Sequence, residues 1–433
     1  MIIQFSVRNF KTFKNKVTLS LVASNYDKTN LEDNNVYEIE KFSNRLLKSL
    51  VVFGANASGK TKLFDAMAFM RWFVVNSSVK TQEGDEIDTD TFRFNSESEL
   101  GSSEFEIIYL LNNIQYRYGF EITREKVISE WLFQKKLTKK PKEVELFYRD
   151  DMEIFYHNSF KKMKLLIKEG DGILRNNALL LSVSNQFKVK EAKEIVDYFR
   201  KFNFLLGNEP FRYQEFSLSQ ISLKSEIGSK IIETMKRFDT GISDVEVKEI
   251  RIEDNHHFPA EIRDKISELT KKGKDLTILE AEAIHKKFDA EYNFIDNVRM
   301  DFDEDESSGT QKLLAILGPI FETLISGHII VIDELDSRLH PKIVTHIVQL
   351  FNSKETNPRN SQLIINTHNS NLLSENLFRR DQIWFTEKNR YGEGMLISLS
   401  EFKVRQGENF EEKYLEGRFG GIPFIKNLND LFN

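Results

Sequence analysis

Cysteine is absent from the 433 residues, proline occurs 7 times and tryptophan 3 times. Without cysteine there is no disulfide, no thiolate nucleophile and no cysteine-based zinc site, a composition that fits a reducing compartment. Long apolar runs are also lacking. The most apolar stretch, Leu313 to Ile332, is broken by Glu322, Gly327 and His328, and reads as a helix followed by a strand, not a membrane span. The opening MIIQFSVRNFKTF alternates like a strand and has no uninterrupted apolar core of the kind a signal peptide carries. Nor is there an excess of positive charge. A formal net charge of −6 gives no global attraction to nucleic acid or to an anionic membrane, so any such contact would rest on a local basic patch. The expectation is a soluble, cytoplasmic protein.

Hydrophobic residues at 40% and charged residues at 30% are ordinary for a globular chain, while 36 phenylalanines point to Phe-rich cores. The length exceeds what one core usually holds, so at least two subdomains are expected. Patterning suggests three segments. Residues 1–187 read as a β-rich N-terminal lobe: Ile3, Phe5 and Val7 alternate, and FEIIYLL, IQYRYGFEI, VISEWLFQKKL, VELFYR and MEIFY follow between Thr91 and Phe155. Residues 188–300 read as a mainly helical insertion rich in Lys and Glu, including the run from Ala260 to Glu291, with one strand-like interruption, VEVKEIRIE. Residues 301–433 return to alternating helix and strand, with the continuous apolar strands of a buried parallel sheet.

Gly54-Ala55-Asn56-Ala57-Ser58-Gly59-Lys60-Thr61 matches the P-loop pattern in full. It follows the apolar run Leu50 to Phe53 and precedes a helical segment, a context that a chance glycine-rich turn would not have. In such a loop the backbone N–H groups face phosphates, Lys60 reaches the β/γ-phosphates of ATP, and the Thr61 hydroxyl ligates Mg²⁺. Ile329-Ile330-Val331-Ile332-Asp333-Glu334 is a buried strand with two acids at its carboxyl end. Alone it would read as a strand running into a solvated acidic turn. Paired with a P-loop, Asp333 becomes the acid of the Mg²⁺ shell and Glu334 the group that orients or deprotonates the attacking water.

Three weaker elements follow the same logic. Ser307-Ser308-Gly309-Thr310-Gln311 opens an apolar helix and offers N–H donors to an anion, either as a plain N-cap or in service of a second subunit's nucleotide. It is similar to the ABC signature LSGGQ through Ser308, Gly309 and Gln311, and departs from it at Ser307 and Thr310. His368, after the strand LIIN, and Asp336, after the Walker B segment Ile329 to Glu334, stand where ABC-type enzymes carry their γ-phosphate histidine and D-loop acid. Gln186, read here as ending a buried strand, stands where SMC-like heads carry a glutamine that touches Mg²⁺ and water. The order of these motifs is that of the ABC/SMC class, and the expected fold is α/β: an ABC/SMC-like P-loop ATPase head with a β-rich N-terminal lobe and a helical insertion.

Together NFKTF, GANASGKT, ESSGTQK, DELDSRLHP, THNSNLL and YLEGRFGGIPFI resemble the AAA_15-type ATPases of bacterial phage-defence systems, the RloA/AbiL group, related to RecF and OLD ATPases. The resemblance implies an ATPase that pairs head to tail and works in antiviral defence and abortive infection with a separately encoded effector, often a TOPRIM-type nuclease. A RecF/SMC-like DNA-repair ATPase would carry the same core motifs and stands as the alternative. An ABC transporter subunit fits the NFKTF opening and the long insertion less well. The stretch after His368 is short for a fused TOPRIM domain. DNA or RNA contact is left open at Gln134 to Lys142, where Lys135, Lys136, Lys139, Lys140 and Lys142 suit either phosphate contacts or a solvated hairpin tip; the hairpin tip is the reading preferred from sequence.

Overall fold

The computed structural model describes residues 1–25, 31–151, 153–158, 160, 173–207, 211–251, 277–374, 376–403 and 408–423. It divides into two units. One holds Met1–Gly207, Ser326–Asp336 and Val344–Asn433, and the other Asn208–Ile325 and Ser337–Ile343.

The first unit carries two large sheets. A seven-stranded antiparallel sheet runs in the order Glu153–Tyr156, Glu143–Asp150, Val127–Lys136, Ile114–Ile122, Ser103–Leu111, Ile2–Arg8 and Val17–Ser20. Along Ser103–Leu111 buried residues alternate with half-buried ones, the period of two that a pleated strand imposes. Asn112 and Asn113 both take positive φ, 51° and 60°, and form the two-residue hairpin turn that asparagine accommodates. The second sheet is six-stranded, in the order Phe202–Leu205, Ile329–Ile332, Gln362–Asn366, Ser49–Gly54, Ile383–Lys388 and Gly394–Ser398, parallel except for its last strand. Its central strands are buried throughout, which is why they read as uninterrupted apolar runs.

The helix Lys60–Asn76 joins the two sheets. Leu63, Phe64 and Met67 share one core with Leu50 and Val52 of the parallel sheet and with Phe105, Tyr118 and Phe120 of the antiparallel one. Phe69 lies 5.0 Å from Phe105 between ring centroids, and Phe73 lies 5.5 Å from Phe120, so the abundant phenylalanines are spent on this seam.

Two sequence readings change here. The run Ala178 to Val183, expected as a strand, opens the helix Leu180–Gln186. A short apolar run does not distinguish strand from helix by periodicity, and a tertiary contact decides it: the buried Glu130 carboxylate accepts from the N–H groups of Leu180 and Leu181 at 2.5 and 3.0 Å and caps the helix. The strand Phe202–Leu205, within the segment read as an insertion, pairs in parallel with Ile329–Ile332 at the sheet edge.

The second unit contains the helices Phe211–Ser222, Glu226–Arg237 and Ser308–Ser326 and a three-stranded antiparallel sheet of Ile242–Arg251, Thr277–Phe288 and Phe294–Asp301. The run Ala260 to Glu291 was expected to be helical. Its described part is the strand Thr277–Phe288, where alternation buries Ala281 and Ala283, and pairing on both sides overrides the helical propensity of Ala, Glu and Lys. Residues 252–276 lie outside the described residues. The helix Ser308–Ser326 contains Pro319, whose missing N–H leaves the Ala315 carbonyl without its helical donor; Ser217 Oγ donates to that carbonyl at 3.1 Å. Among the described residues no helix is long and apolar enough to cross a membrane.

Candidate nucleotide site

The strand Ser49–Gly54 ends in a turn that glycine makes feasible. Gly54 has φ +154°, and a Cβ there would stand 2.5 Å from Thr386 Oγ1 and 2.6 Å from both Ser58 Oγ and the Thr386 carbonyl. Gly59, at φ +120°, caps the helix Lys60–Asn76 without a side chain. The first N–H groups of that helix therefore face the loop, and the positive end of the helix dipole with them. Asn56 and Ala57 are exposed at the tip, with Ala57 at φ 61°, while Ser58 is buried and its hydroxyl shares a 2.6 Å hydrogen bond with Thr386 Oγ1.

Lys60 is buried, and its Nζ donates to the carbonyls of Gly54 at 2.6 Å and Ala55 at 3.1 Å. Burial pushes this amine down to about 8, against the opposing charges of Glu334, Asp333 and Asp336. Thr61 Oγ1 donates to Asp333 Oδ1 at 3.1 Å, so the residues read as Mg²⁺ partners already face each other across the sheet. Burial pushes the Asp333 carboxyl up, and hydrogen bonds from Asn366 and Thr61 oppose the shift.

Sheet order explains the arrangement. The P-loop strand and the Walker B strand are not neighbours; Gln362–Asn366 lies between them. The last residue of that strand, Asn366, was missed from sequence. Its Nδ2 donates to Asp333 Oδ1, and its Oδ1 accepts from the Glu334 N–H at 2.7 Å. A polar residue closing an otherwise apolar buried strand was the available signal. Glu334 itself takes φ +50°, a sparsely populated region for a side-chain-bearing residue and one that clusters at working sites.

Asp336 Oδ2 accepts from the His368 N–H at 3.1 Å, which joins the D-loop position to the His motif. Burial lowers the His368 imidazole from its ordinary value and Lys60 lowers it further, so the ring is held towards its neutral form. The C-terminal residues add a contact that sequence reading did not anticipate. Gly421 brings an ideal Cβ position within 3.4 Å of Gly54 Cα, and Tyr414 donates to the Gly421 carbonyl at 3.1 Å while its ring lies 5.8 Å from Phe53.

Thus Gly54, Ser58, Gly59, Lys60, Thr61, Asp333, Glu334, Asp336 and His368 gather at the carboxyl end of the parallel sheet. Gln186 is exposed at the end of a helix, not of the strand expected. Ser308, Gly309 and Gln311 belong to the second unit. There Ser307 Oγ accepts from the Thr310 N–H at 3.2 Å as a helix cap, and a Cβ on Gly309 would stand 2.6 Å from the Arg338 carbonyl. Gln311 is buried and donates to the Asp303 and Glu306 carbonyls at 2.7 and 3.1 Å, which ties down the turn entering the helix. Among the described residues no group of three or more His, Asp or Glu side chains could hold a metal ion unaided.

A family profile described as "AAA domain, putative AbiEii toxin, Type IV TA system" matches residues 49–374. The chain belongs to this family. The match spans the P-loop strand through His368, and the α/β fold is that of a P-loop ATPase. Among solved structures, one of the recombination mediator protein RecF with ATP aligns over 92% of this chain and 99% of its own, at 13% identity and a TM-score of 0.32. A second, described as RecF-ATPrS, aligns over 92% and 98% at 14% identity and a TM-score of 0.31. No curated protein matches the chain.

Proposed function

We propose that this chain binds and hydrolyses ATP in the cytoplasm as a nucleotide-gated, head-to-tail dimer, and that its opening and closing control a partner effector, a nuclease of TOPRIM type, in anti-phage defence. The observation that carries the ATPase reading is the 3.1 Å hydrogen bond from Thr61 to Asp333 beside a buried Lys60, since Lys60 and Thr61 open the helix after one strand while Asp333 follows another strand far away in sequence. The glycine cradle, which a Cβ at Gly54 would fill, suits a phosphate chain. Thr61 and Asp333 would hold Mg²⁺ together with phosphate oxygens, and the ion supplies Lewis-acid polarisation of the phosphoryl group.

The protein's own steps follow. The N–H groups from Gly54 to Thr61 receive the phosphates, and Lys60 leaves the Gly54 and Ala55 carbonyls to reach the β/γ-phosphates. Glu334, its backbone pinned by Asn366, accepts a proton from the attacking water. His368 serves the γ-phosphate, with its backbone held by Asp336. In the dimer Ser308 and Gly309 offer their N–H groups to the other subunit's nucleotide. The family's description names a toxin of a type IV toxin–antitoxin system, which supports a role in abortive infection. The resemblance to the RloA/AbiL group supports a separately encoded effector.

The test is the mass of the Glu334→Gln protein with and without MgATP, co-expressed with its genomic neighbour. ATP-driven dimers that retain the neighbour support the switch. Dimers that ignore the neighbour but bind duplex DNA favour a RecF/SMC-like maintenance ATPase. A variant that stays monomeric with ATP and hydrolyses it normally refutes both.

A further inference from the structure

Where the strand Val127–Lys136 ends, within the antiparallel sheet, the structure assembles a cationic groove that the sequence alone does not show. The strand Val127–Lys136 delivers Lys135 opposite Gln115, and the following loop delivers Thr138 and Lys139. Lys41 and Ser43, remote in sequence, complete the wall of a cavity of about 390 Å³. That volume falls in the range of about 300–1,000 Å³ typical of small-ligand clefts, enough for a nucleotide unit. None of its lining residues is acidic.

The nearby acids are occupied. Glu143, directly across from Lys135, is held by Arg117 at 3.1 Å. Glu40 pairs with Lys41 at 3.2 Å, but both side chains are exposed, and such pairs contribute little. From Gln134 to Lys142 there are five lysines and no acid. The chain as a whole carries a net charge of −6, so this concentration of one sign is local and is not a bulk property. The half-buried ring of Phe42 lines the same groove.

We infer that this groove binds single-stranded nucleic acid, with Lys41, Lys135 and Lys139 on the phosphates and Phe42 offering a face to a base. Lysines that track a backbone beside an aromatic stacking surface are the two components of sequence-tolerant single-strand binding. The groove is a site separate from the P-loop, and its occupancy does not depend on ATP turnover.

Fluorescence anisotropy of labelled oligothymidine on the full chain, over a series of salt concentrations, tests this. Three lysine–phosphate contacts give a slope of log affinity against log salt of about −2, and the double variant Lys135→Gln/Lys139→Gln lowers its magnitude to about 0.7. Phe42→Ala weakens binding by about fivefold or more at fixed salt. Should Phe42→Ala fold poorly, the exposed glutamine pair still decides the question. A control pair, Lys286→Gln/Lys287→Gln, removes the same charge from a different exposed surface and leaves the slope unchanged. The inference is overturned if the control lowers the slope equally, if the groove variants bind as the wild type does, if duplex is bound more tightly than single strand, or if anionic vesicles compete the oligonucleotide away. Lys60→Ala, which abolishes nucleotide binding, leaves the oligonucleotide affinity unchanged, so failure here and failure of the ATP switch are separable.

Discussion

A single methyl group at Gly54 should disable the nucleotide site. In Gly54→Ala the new Cβ would stand 2.5 Å from Thr386 Oγ1 and 2.6 Å from the Thr386 carbonyl, at a backbone φ of +154°. A side-chain-bearing residue in such a region carries strain of about 1–3 kcal/mol. Overpacking at a close contact adds about 1–3 kcal/mol more. Relief is least costly where the loop from Gly54 to Gly59 shifts, because the strand behind it is paired on both sides. If ATP binding must restore the original turn, a penalty of about 2.7 kcal/mol, within the sum of these two, is a factor of about 100 in affinity. The assay is titration with a fluorescent ATP analogue, run beside thermal unfolding with and without MgATP. The expected result is a dissociation constant about 100-fold higher and the disappearance of the ATP-induced rise in melting temperature. Adding Thr386→Ala should not rescue the variant, since the carbonyl contact remains. Wild-type ATP affinity in the Gly54→Ala protein would refute the reasoning, because the space behind the turn would then exist.

Three further outcomes are expected. Glu130→Ala removes the cap of the helix Leu180–Gln186 and strands the Tyr118 hydroxyl, which donates to Glu130 at 2.9 Å; the urea midpoint should fall by the equivalent of about 2–4 kcal/mol, and an unchanged midpoint would discount the cap. Lys48 is buried, its Nζ has no hydrogen-bond partner among the described residues, and burial followed by Lys354 pushes its amine from 10.5 down to about 8. That penalty on the folded state is complete below about 8 and fades as the pH rises towards 10.5, so Lys48→Met should add up to about 3 kcal/mol of stability at neutral pH and progressively less at alkaline pH; an equal gain at both would count against it. Asn366→Ala should lower kcat by about tenfold or more with little change in KM for ATP, because it frees Asp333 and Glu334 without touching the phosphate cradle; a change in KM alone would contradict this.

What the sequence revealed was local. The P-loop announces itself because its glycines, lysine and threonine are contiguous and its flanking strand and helix are too. The strands Ile329–Ile332 and Gln362–Asn366 were legible because burial on both faces leaves only apolar residues between polar ends. What stayed hidden depends on distant partners. The helix Leu180–Gln186 looked like a strand until Glu130, fifty positions away in sequence, reached its first N–H groups. The strand Thr277–Phe288 looked helical because Ala, Glu and Lys favour helix, and only its two neighbours in the sheet say otherwise. The lysines after Phe133 do lie at an exposed hairpin connection, as read from sequence, but nothing near them in sequence announces that Lys41 and Phe42 line the same cavity.

Asn366 shows why the intervening strand matters to the chemistry. Two acids at the end of one strand repel each other and flex unless something sets their backbone. An amide is suited to this position, since it donates to the Asp333 carboxylate and accepts from the Glu334 N–H at once. Aspartate there would set a second carboxylate against Asp333, and serine has one short hydroxyl for two partners. On the other side of the P-loop strand, Thr386 holds Ser58 and Gly421 packs against Gly54. The turn is therefore braced on that flank before any phosphate arrives. Little of the response to nucleotide can come from the loop backbone. It falls instead to Lys60, whose two hydrogen bonds to the Gly54 and Ala55 carbonyls must break before its ammonium can serve a phosphate.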